Sequence, residues 1–449
     1  MKHVLYYSQL AVDREANFKV KVLRLRDFRL LWIGEAISGL GDQFAFIALP
    51  WLALVMTGSG LALGSVLAVM AIPRAVLMVI GGAYVDRLSP RRVMLLSNAV
   101  RLVAVTVLGV AVVAGAAQFW MLYIFALIYG IADAFFFPAQ TAMVPSLVPG
   151  EHLGQANAIV QGTAQLTVFV GPAVAGVMIV FLGSTASQPS ADGIGVALIL
   201  DALSFVVSLV TLWLIRAGAA QVAHAASSVI AQIKEGISFV WNWPSMRLIV
   251  ILSMALNLLI VGPFEVGIPL LAYTRLPEGA AAFGLMTSAF GLGSLVGLAG
   301  AAALPAPRPA LFSTVALGTI AVAGVLLALM SAVYATIPAL LIALSIGVSL
   351  GYSNLLTLTW IQRRVPGLLM GRVMSVLMFG SLGLVPLSTM LAGVFVTINL
   401  AAVLIIGGLG MTALVLASLL VRPIRHMGEE PVLASQDEQP ESGAVPAVA

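Results

Sequence analysis

Long apolar stretches alternate with short polar segments along most of the 449-residue chain. Each stretch is about 20 to 30 residues long, which suits a helix crossing a hydrocarbon core of about 30 Å and exceeds the length of a barrel strand. The pattern therefore predicts an all-α integral membrane protein. Twelve spans, numbered in chain order, are predicted at 29–56, 60–85, 92–114, 118–143, 153–182, 192–215, 246–274, 281–303, 309–331, 334–361, 369–396 and 398–421.

The spans divide into two bundles of six. The predicted parts are a tail at 1–28, a first bundle at 29–215, a central loop at 216–245, a second bundle at 246–421 and a second tail at 422–449. The second tail is rich in Glu, Pro, Ser and Ala without a periodic pattern, so we predict that it is disordered. An even number of spans places both tails on the same side of the membrane.

The central loop contains apolar residues at helical spacing. Val229, Ile233, Ile237 and Trp241 follow one another at every fourth position. This spacing places them on one face of a helix. We therefore expect an amphipathic helix that lies at the inner surface of the membrane.

Basic residues are distributed unequally between the two sides. Of the 22 Lys and Arg residues, Arg74 and Arg101 lie inside spans, Arg275 lies on one side, and the remaining 19 lie on the other side. Lys and Arg concentrate on the cytoplasmic side of membrane proteins. Both tails and the central loop are therefore predicted to be cytoplasmic, in a multi-pass protein of the cell membrane.

Composition narrows the function classes further. The chain is 61% hydrophobic and 9% charged, against about 25% charged in soluble proteins. The net charge of +4 follows from the loop bias and does not indicate nucleic-acid binding. The chain has no Cys, no spacing typical of a metal site and no P-loop pattern, so no metal, cofactor or ATP site is predicted. Residues 1–27 lack the apolar region of a signal peptide.

Short sequences recur in equivalent places of the two bundles. Val-Pro-Gly at 148–150, before span 5, is repeated at 365–367, before span 11. Gly154 and Gly371 follow at the same distance. Such matches at a fixed offset indicate an internal repeat. Two parallel six-helix repeats are the build of major facilitator transporters.

The loop between spans 2 and 3 carries a motif of glycine and charge, formed by Gly82, Asp86, Arg87, Arg91 and Arg92. It resembles the signature loop of the major facilitator superfamily, although Leu-Ser-Pro before the basic pair makes it one residue longer and removes a glycine. The resemblance implies a cytoplasmic gate, in which Asp86 pairs across the interface between the bundles. The alternative is a solvated loop whose basic residues only orient the protein.

Further stretches are similar to the macrolide-efflux and enterobactin-exporter branch of that superfamily. They lie at 23–54, 130–149, 201–205 and 366–376 and read LRLRDFRLLWIGEAISGLGDQFAFIALPWLAL, GIADAFFFPAQTAMVPSLVP, DALSF and PGLLMGRVMSV. The resemblance implies a drug and proton antiporter with a small-molecule substrate.

Span 5 contains a glycine-proline pair, Gly171 and Pro172, followed by Gly176. This group is similar to the motif that such antiporters carry in span 5. Glycine and proline are also frequent in membrane helices generally.

Four ionisable residues, Asp42, Arg74, Asp133 and Arg101, lie about 14 to 20 Å deep in their spans, counted at 1.5 Å per residue. Intramembrane charges are costly, so each is a candidate functional residue. Their charges sum to zero and permit two ion pairs, whose partners the sequence does not specify. In the superfamily spans 1 and 4 line the cavity, which favours Asp42 and Asp133 as cavity carboxylates and a structural role for Arg101. Asp201 in span 6 is also interpreted as structural.

Other polar residues extend this candidate pathway. Glu35 lies two helical turns before Asp42 on nearly the same face, so it is placed to pass protons between cytosol and cavity. Glu265 and Asn257 in span 7 are the comparable groups of the second bundle. A mixed aromatic and amide wall for amphipathic substrates is formed by Tyr129, Phe135, Phe136, Phe137, Gln140, Gln161 and Gln165, unless these residues only pack against neighbours.

These features favour a secondary transporter that exports drug-like or siderophore-like molecules in exchange for protons by alternating access. A buried carboxylate would exchange its proton, or its Arg partner, for the substrate as the halves rock. Uptake by proton symport and a non-transporting receptor or lipid-moving protein are the alternatives. An enzyme is disfavoured, and a monomer is expected.

Overall fold

The computed structural model describes residues 22–85, 89–182, 184–185, 188–189, 192–216 and 229–430. Within them, twelve helices are long and apolar enough to cross a membrane, as the hydrophobic pattern predicts. In order, the spans are Arg26–Thr57, Gly60–Val85, Pro90–Val113, Phe119–Leu147, Leu153–Phe181, Asp192–Leu214, Pro244–Arg275, Ala280–Ala303, Pro309–Met330, Thr336–Arg364, Gly367–Val396 and Leu400–Leu419. The shorter elements are 3₁₀ helices at Val22–Arg24 and Gly150–His152, strands at Ser184–Thr185 and Gln188–Pro189, and helices at Val229–Asn242 and Arg422–Arg425.

Glycine and proline set several span ends. Span 1 ends before Gly58, which has a φ of 61° and donates its N–H to the carbonyl of Leu54. This left-handed conformation favours glycine and closes the last helical turn. Pro90, Pro244 and Pro309 stand at the first positions of spans 3, 7 and 9, where a missing N–H removes no helical hydrogen bond.

The two bundles pack in a related way. In the first, span 1 packs on spans 5 and 6, and span 4 packs on spans 2 and 3. In the second, span 7 packs on span 11, and span 10 packs on spans 8 and 9. Between bundles, span 2 packs on span 11 and span 5 packs on span 8. Since spans 8 and 11 are the counterparts of spans 2 and 5, the interface has the pseudo-twofold symmetry that the internal repeat predicts.

Two pairs of glycines bring the bundles into backbone contact. Gly64 of span 2 lies against Gly393 of span 11, and Gly176 of span 5 lies against Gly284 of span 8. A Cβ at any of these positions would overlap the partner helix. Both pairs lie on the side opposite the helix Val229–Asn242. We call it the loop side, and it includes the connections at 58–59 and 276–279. Small residues allow membrane helices to approach closely, so the bundles are closed together on the loop side.

On the opposite side, called the linker side, a Cβ at Gly154 of span 5 or at Gly371 of span 11 would meet no atom within 4 Å, so these two glycines make no such backbone contact. In the linker-side part of span 5, Gln161, Gly162, Gln165 and Leu166 are all exposed. Together with Ala164, which is also exposed, these positions span about 200° of the helix circumference, so span 5 is not exposed on a single lipid-facing side alone. The cavity between the bundles therefore opens to the linker side.

A helix, called the linker helix, occupies Val229–Asn242 of the central loop. Its Ile237 is 47% exposed and its Trp241 is 62% exposed. The carboxylate of Glu235 forms an ion pair with Arg372 of span 11. The linker helix is thus attached to the second bundle, and its location at the membrane surface stays a prediction.

The prediction that residues 422–449 are disordered is wrong for residues 422–430. In this segment Ile424 is buried, and Trp360 and Arg364 donate hydrogen bonds to the backbone carbonyls at 2.8 to 3.2 Å. The order comes from these hydrogen bonds to span 10, which no periodic pattern in the segment itself reveals. Residues 431–449 lie outside the described part.

Candidate functional site

One carboxylate in the first bundle meets two guanidinium groups. Asp133 lies at the midpoint of span 4 and accepts a hydrogen bond from Arg101 of span 3. Its other oxygen lies 4.0 Å from Nη1 of Arg74 in span 2. The sequence permitted two separate ion pairs, and the structure instead gives both arginines the same partner. Asp133 therefore joins spans 2, 3 and 4 at the middle of the membrane.

Arg101 is enclosed by aromatic rings and is 1% exposed. Its guanidinium carbon lies 4.3 Å from the ring centre of Phe136, 5.3 Å from that of Tyr129 and 5.9 Å from that of Phe205. Ring faces attract a cation, and the carboxylate of Asp133 supplies the opposite charge. Arg101 is thereby fixed in position, although its assignment as a structural residue stays a prediction.

Asp42 of span 1 has a neutral partner. The hydroxyl of Tyr129 donates a hydrogen bond to Oδ1 of Asp42. Tyr129 lies one helical turn before Asp133 on the same face of span 4. Span 4 therefore carries both the partner of Asp42 and the second carboxylate, which brings the two predicted cavity carboxylates into one cluster.

Glu35 continues the cluster toward the linker side. Nε2 of Gln140 donates a hydrogen bond to Oε2 of Glu35, and Oε1 has no hydrogen-bond partner among the described residues. Glu35 and Asp42 lie two turns apart on span 1. An acidic track therefore leads along span 1 from the open side to the middle of the membrane.

Arg74 is the more exposed of the two arginines. Its side chain is 37% exposed and its guanidinium carbon lies 4.8 Å from the ring centre of Phe137. Arg74 therefore stays partly accessible while its guanidinium lies near Asp133 and Phe137. Glu265 of span 7, in the second bundle, is partly buried.

Asn257 is directed to its own helix. Its Nδ2 donates a hydrogen bond to the backbone carbonyl of Ser253, at 2.9 Å. This bond occupies one of the two donor hydrogens of the amide. The role of Asn257 in the pathway stays a prediction.

Asp201 lies behind the cluster and is fully buried. Ser204 donates a long hydrogen bond of 3.4 Å to Oδ1, and Oδ2 has no partner among the described residues. A Cβ at Gly41 of span 1 would overlap Asp201 and Ser204, so spans 1 and 6 approach closely here. The structural role predicted for Asp201 is compatible with this burial and remains untested.

The gate motif is only partly described. Gly82 lies in the helix of span 2, whereas Asp86 and Arg87 lie outside the described residues. The proposed contact of Asp86 with the second bundle therefore stays a prediction.

The basic pair of that motif lies at the start of span 3. Arg91 donates hydrogen bonds to the backbone carbonyls of Leu212, at 2.7 Å, and Trp213, at 2.6 Å. These carbonyls belong to the last turn of span 6, where helical partners are missing and a positive charge is favourable. Arg92 is exposed. Arg91 thus connects two helices within the first bundle.

The span 5 motif lies at two helix crossings. Gly171 packs against Gln43 of span 1, and Gly176 packs against Gly284 of span 8. Next to Pro172, the N–H of Ala173 donates a hydrogen bond of 2.8 Å to the hydroxyl of Ser288 in span 8. The motif therefore forms part of the loop-side contact between the bundles.

The predicted wall residues differ in their surroundings. Those within the cluster are Tyr129, Phe136 and Gln140, those exposed on the linker side are Phe137, Gln161 and Gln165, and Phe135 is partly buried. The exposed group presents an aromatic ring and two amides on the linker side.

Known efflux pumps resemble this chain at low identity. The multidrug efflux pump Tap of Mycobacterium tuberculosis is 26% identical over 376 residues, which cover 81% of this chain and 85% of the pump. Tap of Mycolicibacterium fortuitum is 28% identical over 234 residues, so the match spans about half the length of each protein, 50% and 54%. Macrolide efflux protein A of Streptococcus pyogenes is 28% identical over 167 residues, 37% of this chain and 40% of that protein.

Solved transporter structures share the fold. The nucleoside transporter NupG has a TM-score of 0.71 at 13% identity, and the match covers 87% of this chain and 98% of NupG. A bacterial homologue of the iron transporter ferroportin, in an inward-facing state, has a TM-score of 0.68 at 19% identity, with 88% and 99% coverage.

The sequence also matches the Major Facilitator Superfamily over residues 31–386, which include eleven of the twelve spans at least in part. The match, the twelve helices and the paired bundles confirm the resemblance drawn from the motifs. The relatives are transporters and not enzymes. This chain therefore belongs to the Major Facilitator Superfamily, as a multi-pass membrane protein that is similar to drug-efflux pumps.

Proposed function

We propose that this chain is a secondary active exporter that exchanges protons for drug-like small molecules by alternating access. The observation that carries the proposal is the charge cluster at the middle of the first bundle, where Asp133 lies against Arg101 and Arg74 and Tyr129 donates a hydrogen bond to Asp42. Charged groups inside the membrane are costly and mark substrate or proton pathways. The names of the related pumps, which specify multidrug and macrolide efflux, support export.

The charge balance of the cluster supports coupling to protons. Five carboxyl groups oppose two guanidinium groups, and these residues are Glu35, Asp42, Asp133, Asp201 and Glu265 against Arg74 and Arg101. Uncompensated charge is costly within the membrane. The cluster is electrically neutral when three carboxyl groups carry protons, and a cationic substrate replaces one proton without a change in total charge. Exchange of cation for proton therefore needs no other ion.

The cavity surface favours amphipathic cations among drug-like and siderophore-like molecules. Phe137 offers an aromatic face, Gln161 and Gln165 offer amides, and the carboxyl groups outnumber the guanidinium groups. Aromatic and acidic groups together attract a cation with a large apolar surface. Ethidium, a planar organic cation, is the probe in the experiments that follow.

The proposal includes an orientation, with the linker side facing the cytoplasm. The chain has no native cysteine, so a single introduced cysteine reports on one side without background labelling. In intact cells a membrane-impermeant maleimide is expected to label Ala116→Cys, on the loop side, and to leave Ser238→Cys of the linker helix unlabelled. The reverse result would require the opposite orientation.

Substitution of Asp42 and Glu265 tests the coupling in proteoliposomes that contain a pH-sensitive dye. Asp42→Asn keeps an oxygen that accepts the Tyr129 hydrogen bond, and Glu265→Gln keeps the side-chain size, so folding is expected to persist. Ethidium-driven proton movement is expected to fall about tenfold or more in each variant, because a neutral amide cannot carry the exchanged proton.

Glu278→Gln serves as the matched control. Glu278 is an exposed carboxylate outside the spans, and it accepts a hydrogen bond from the hydroxyl of Thr336. It is expected to transport like the unaltered chain. Undiminished proton movement in both test variants would remove the carboxylate mechanism. Movement of ethidium and protons in the same direction would establish symport in place of antiport.

A further inference from the structure

Span 7 changes its helical form just before Glu265. Regular α-helix at Pro244–Leu256 gives way to a π-helical turn at Asn257–Val261, and α-helix resumes at Gly262–Arg275. A π-turn contains one extra residue and often marks a functional position. Glu265 lies within the first turn after it.

A side chain from span 11 is inserted into the backbone ladder at this turn. In a continuous α-helix the N–H of Gly262 would donate to the carbonyl of Leu258. Here the hydroxyl of Ser388 accepts a hydrogen bond from the N–H of Gly262 at 2.9 Å and donates one to the carbonyl of Leu258 at 2.7 Å. Ser388 therefore replaces one backbone hydrogen bond of span 7 with two bonds through its own oxygen.

Two prolines weaken the ladder further. Pro263 and Pro269 have no N–H, so the carbonyls of Leu259 and Glu265 lack their usual helical donors. The helix around Glu265 therefore has fewer backbone hydrogen bonds to the turns before and after it. The bridge made by Ser388 closes the gap immediately before this weak segment.

The approach of the two helices is specific to small residues. A Cβ at Gly262 would overlap the backbone and hydroxyl of Ser388, and the side chain of Ser388 is itself about 1% exposed. The extra residue of the π-turn rotates the following helix by about 100°, one residue's share of a helical turn. A change at this turn therefore changes the direction in which Glu265 faces.

We propose that Ser388 is a positioning residue for transport, which holds span 7 in the π-turn and thereby sets the direction in which Glu265 faces. The hydroxyl also ties span 11 to the segment that carries Glu265. Ser388 thus acts through Glu265 and has no direct role toward substrate or protons. The inference rests on the proposed function, in which Glu265 belongs to the pathway.

Ser381, two helical turns before Ser388 on span 11, provides a matched control. The hydroxyl of Ser381 lies 3.1 Å from that of Ser253 in span 7. Ser381→Ala therefore removes a hydroxyl contact between the same two spans without opening the backbone ladder. Ser388→Ala is expected to reduce ethidium transport about fivefold or more, and Ser381→Ala less than about twofold.

A double-substitution cycle shows whether Ser388 acts through Glu265. In the Glu265→Gln background, Ser388→Ala is expected to cause no further loss, because the group that it positions is already absent. Fold-losses that multiply in the double variant would overturn the inference and leave the proposed function intact. Normal transport by Glu265→Gln alone would instead refute the place of Glu265 in the proposed function.

A labelling measurement reads the position of residue 265 without transport. A membrane-impermeant maleimide, added to the purified full chain, is applied to Glu265→Cys alone and combined with Ser388→Ala or Ser381→Ala. The labelling rate is expected to change about threefold or more with Ser388→Ala and to stay the same with Ser381→Ala. Equal rates in all three proteins would overturn the positioning role even if Ser388→Ala transports poorly.

Discussion

Asp133→Asn is expected to abolish transport and to destabilise the fold. Arg101 is almost fully buried and would lose its carboxylate partner, while Arg74 would lose the partner that it shares in the first bundle. Removal of one member of a buried ion pair costs about 3–5 kcal/mol. Thermal unfolding of the purified chain and ethidium flux in proteoliposomes measure the two effects.

A second variant separates stability from transport. Combining Asp133→Asn with Arg101→Met removes both charges and fills a similar volume, so much of the lost stability is expected to return. Transport is expected to remain absent, because the carboxylate between Arg101 and Arg74 is still missing. Wild-type stability and ethidium flux in Asp133→Asn alone would show that this carboxylate is required neither for the stability of the fold nor for transport.

Gly176→Leu is expected to abolish transport by a different route. Gly176 and Gly284 are in backbone contact on the loop side, so a leucine at this position prevents the bundles from closing there. The population is expected to shift toward the conformation that is open on the loop side, with transport reduced about tenfold or more. A cysteine at Ser288, buried between spans 5 and 8, reports the opening by faster maleimide labelling from the loop side.

Gly318→Leu is the control for Gly176→Leu, because a Cβ at Gly318 of span 9 meets no atom within 4 Å. It is expected to leave both labelling and transport near those of the unaltered chain. If Gly176→Leu transported normally, the loop-side glycine contact would have no part in the transport cycle.

The twelve spans could be predicted because the signal is long and local. A stretch that must cross the hydrocarbon core is apolar over its whole length, and the observed helices follow the predicted ones within a few residues except at some linker-side ends. Span 4, for example, continues to Leu147, beyond the predicted end at 143. The paired bundles followed from the repeat at 148–150 and 365–367.

The depth of each charged residue was predictable, but its partner was not. Counting residues gives the height of Asp42, Arg74, Arg101 and Asp133 in the membrane and leaves the rotation of each helix undefined. The sharing of Asp133 by both arginines depends on how spans 2, 3 and 4 turn toward one another. The bond from Tyr129 to Asp42 was likewise missed, since it joins residues far apart in the chain.

The sequence could predict the weak point in span 7 but not the serine that bridges it. Gly262 and Pro263 in the middle of span 7 predict a weak point in the helix, because proline removes a backbone donor. Nothing local identifies Ser388, 126 residues later, as the group that fills the gap.

Proton release on substrate binding tests the central claim most directly. Ethidium is added to the purified full chain in weakly buffered detergent solution, and the released protons are counted against bound ethidium. The account predicts about one proton released per bound cation, which keeps the charge of the cluster constant, and less release by Asp42→Asn and Glu265→Gln. Ethidium binding without proton release at any pH would contradict it.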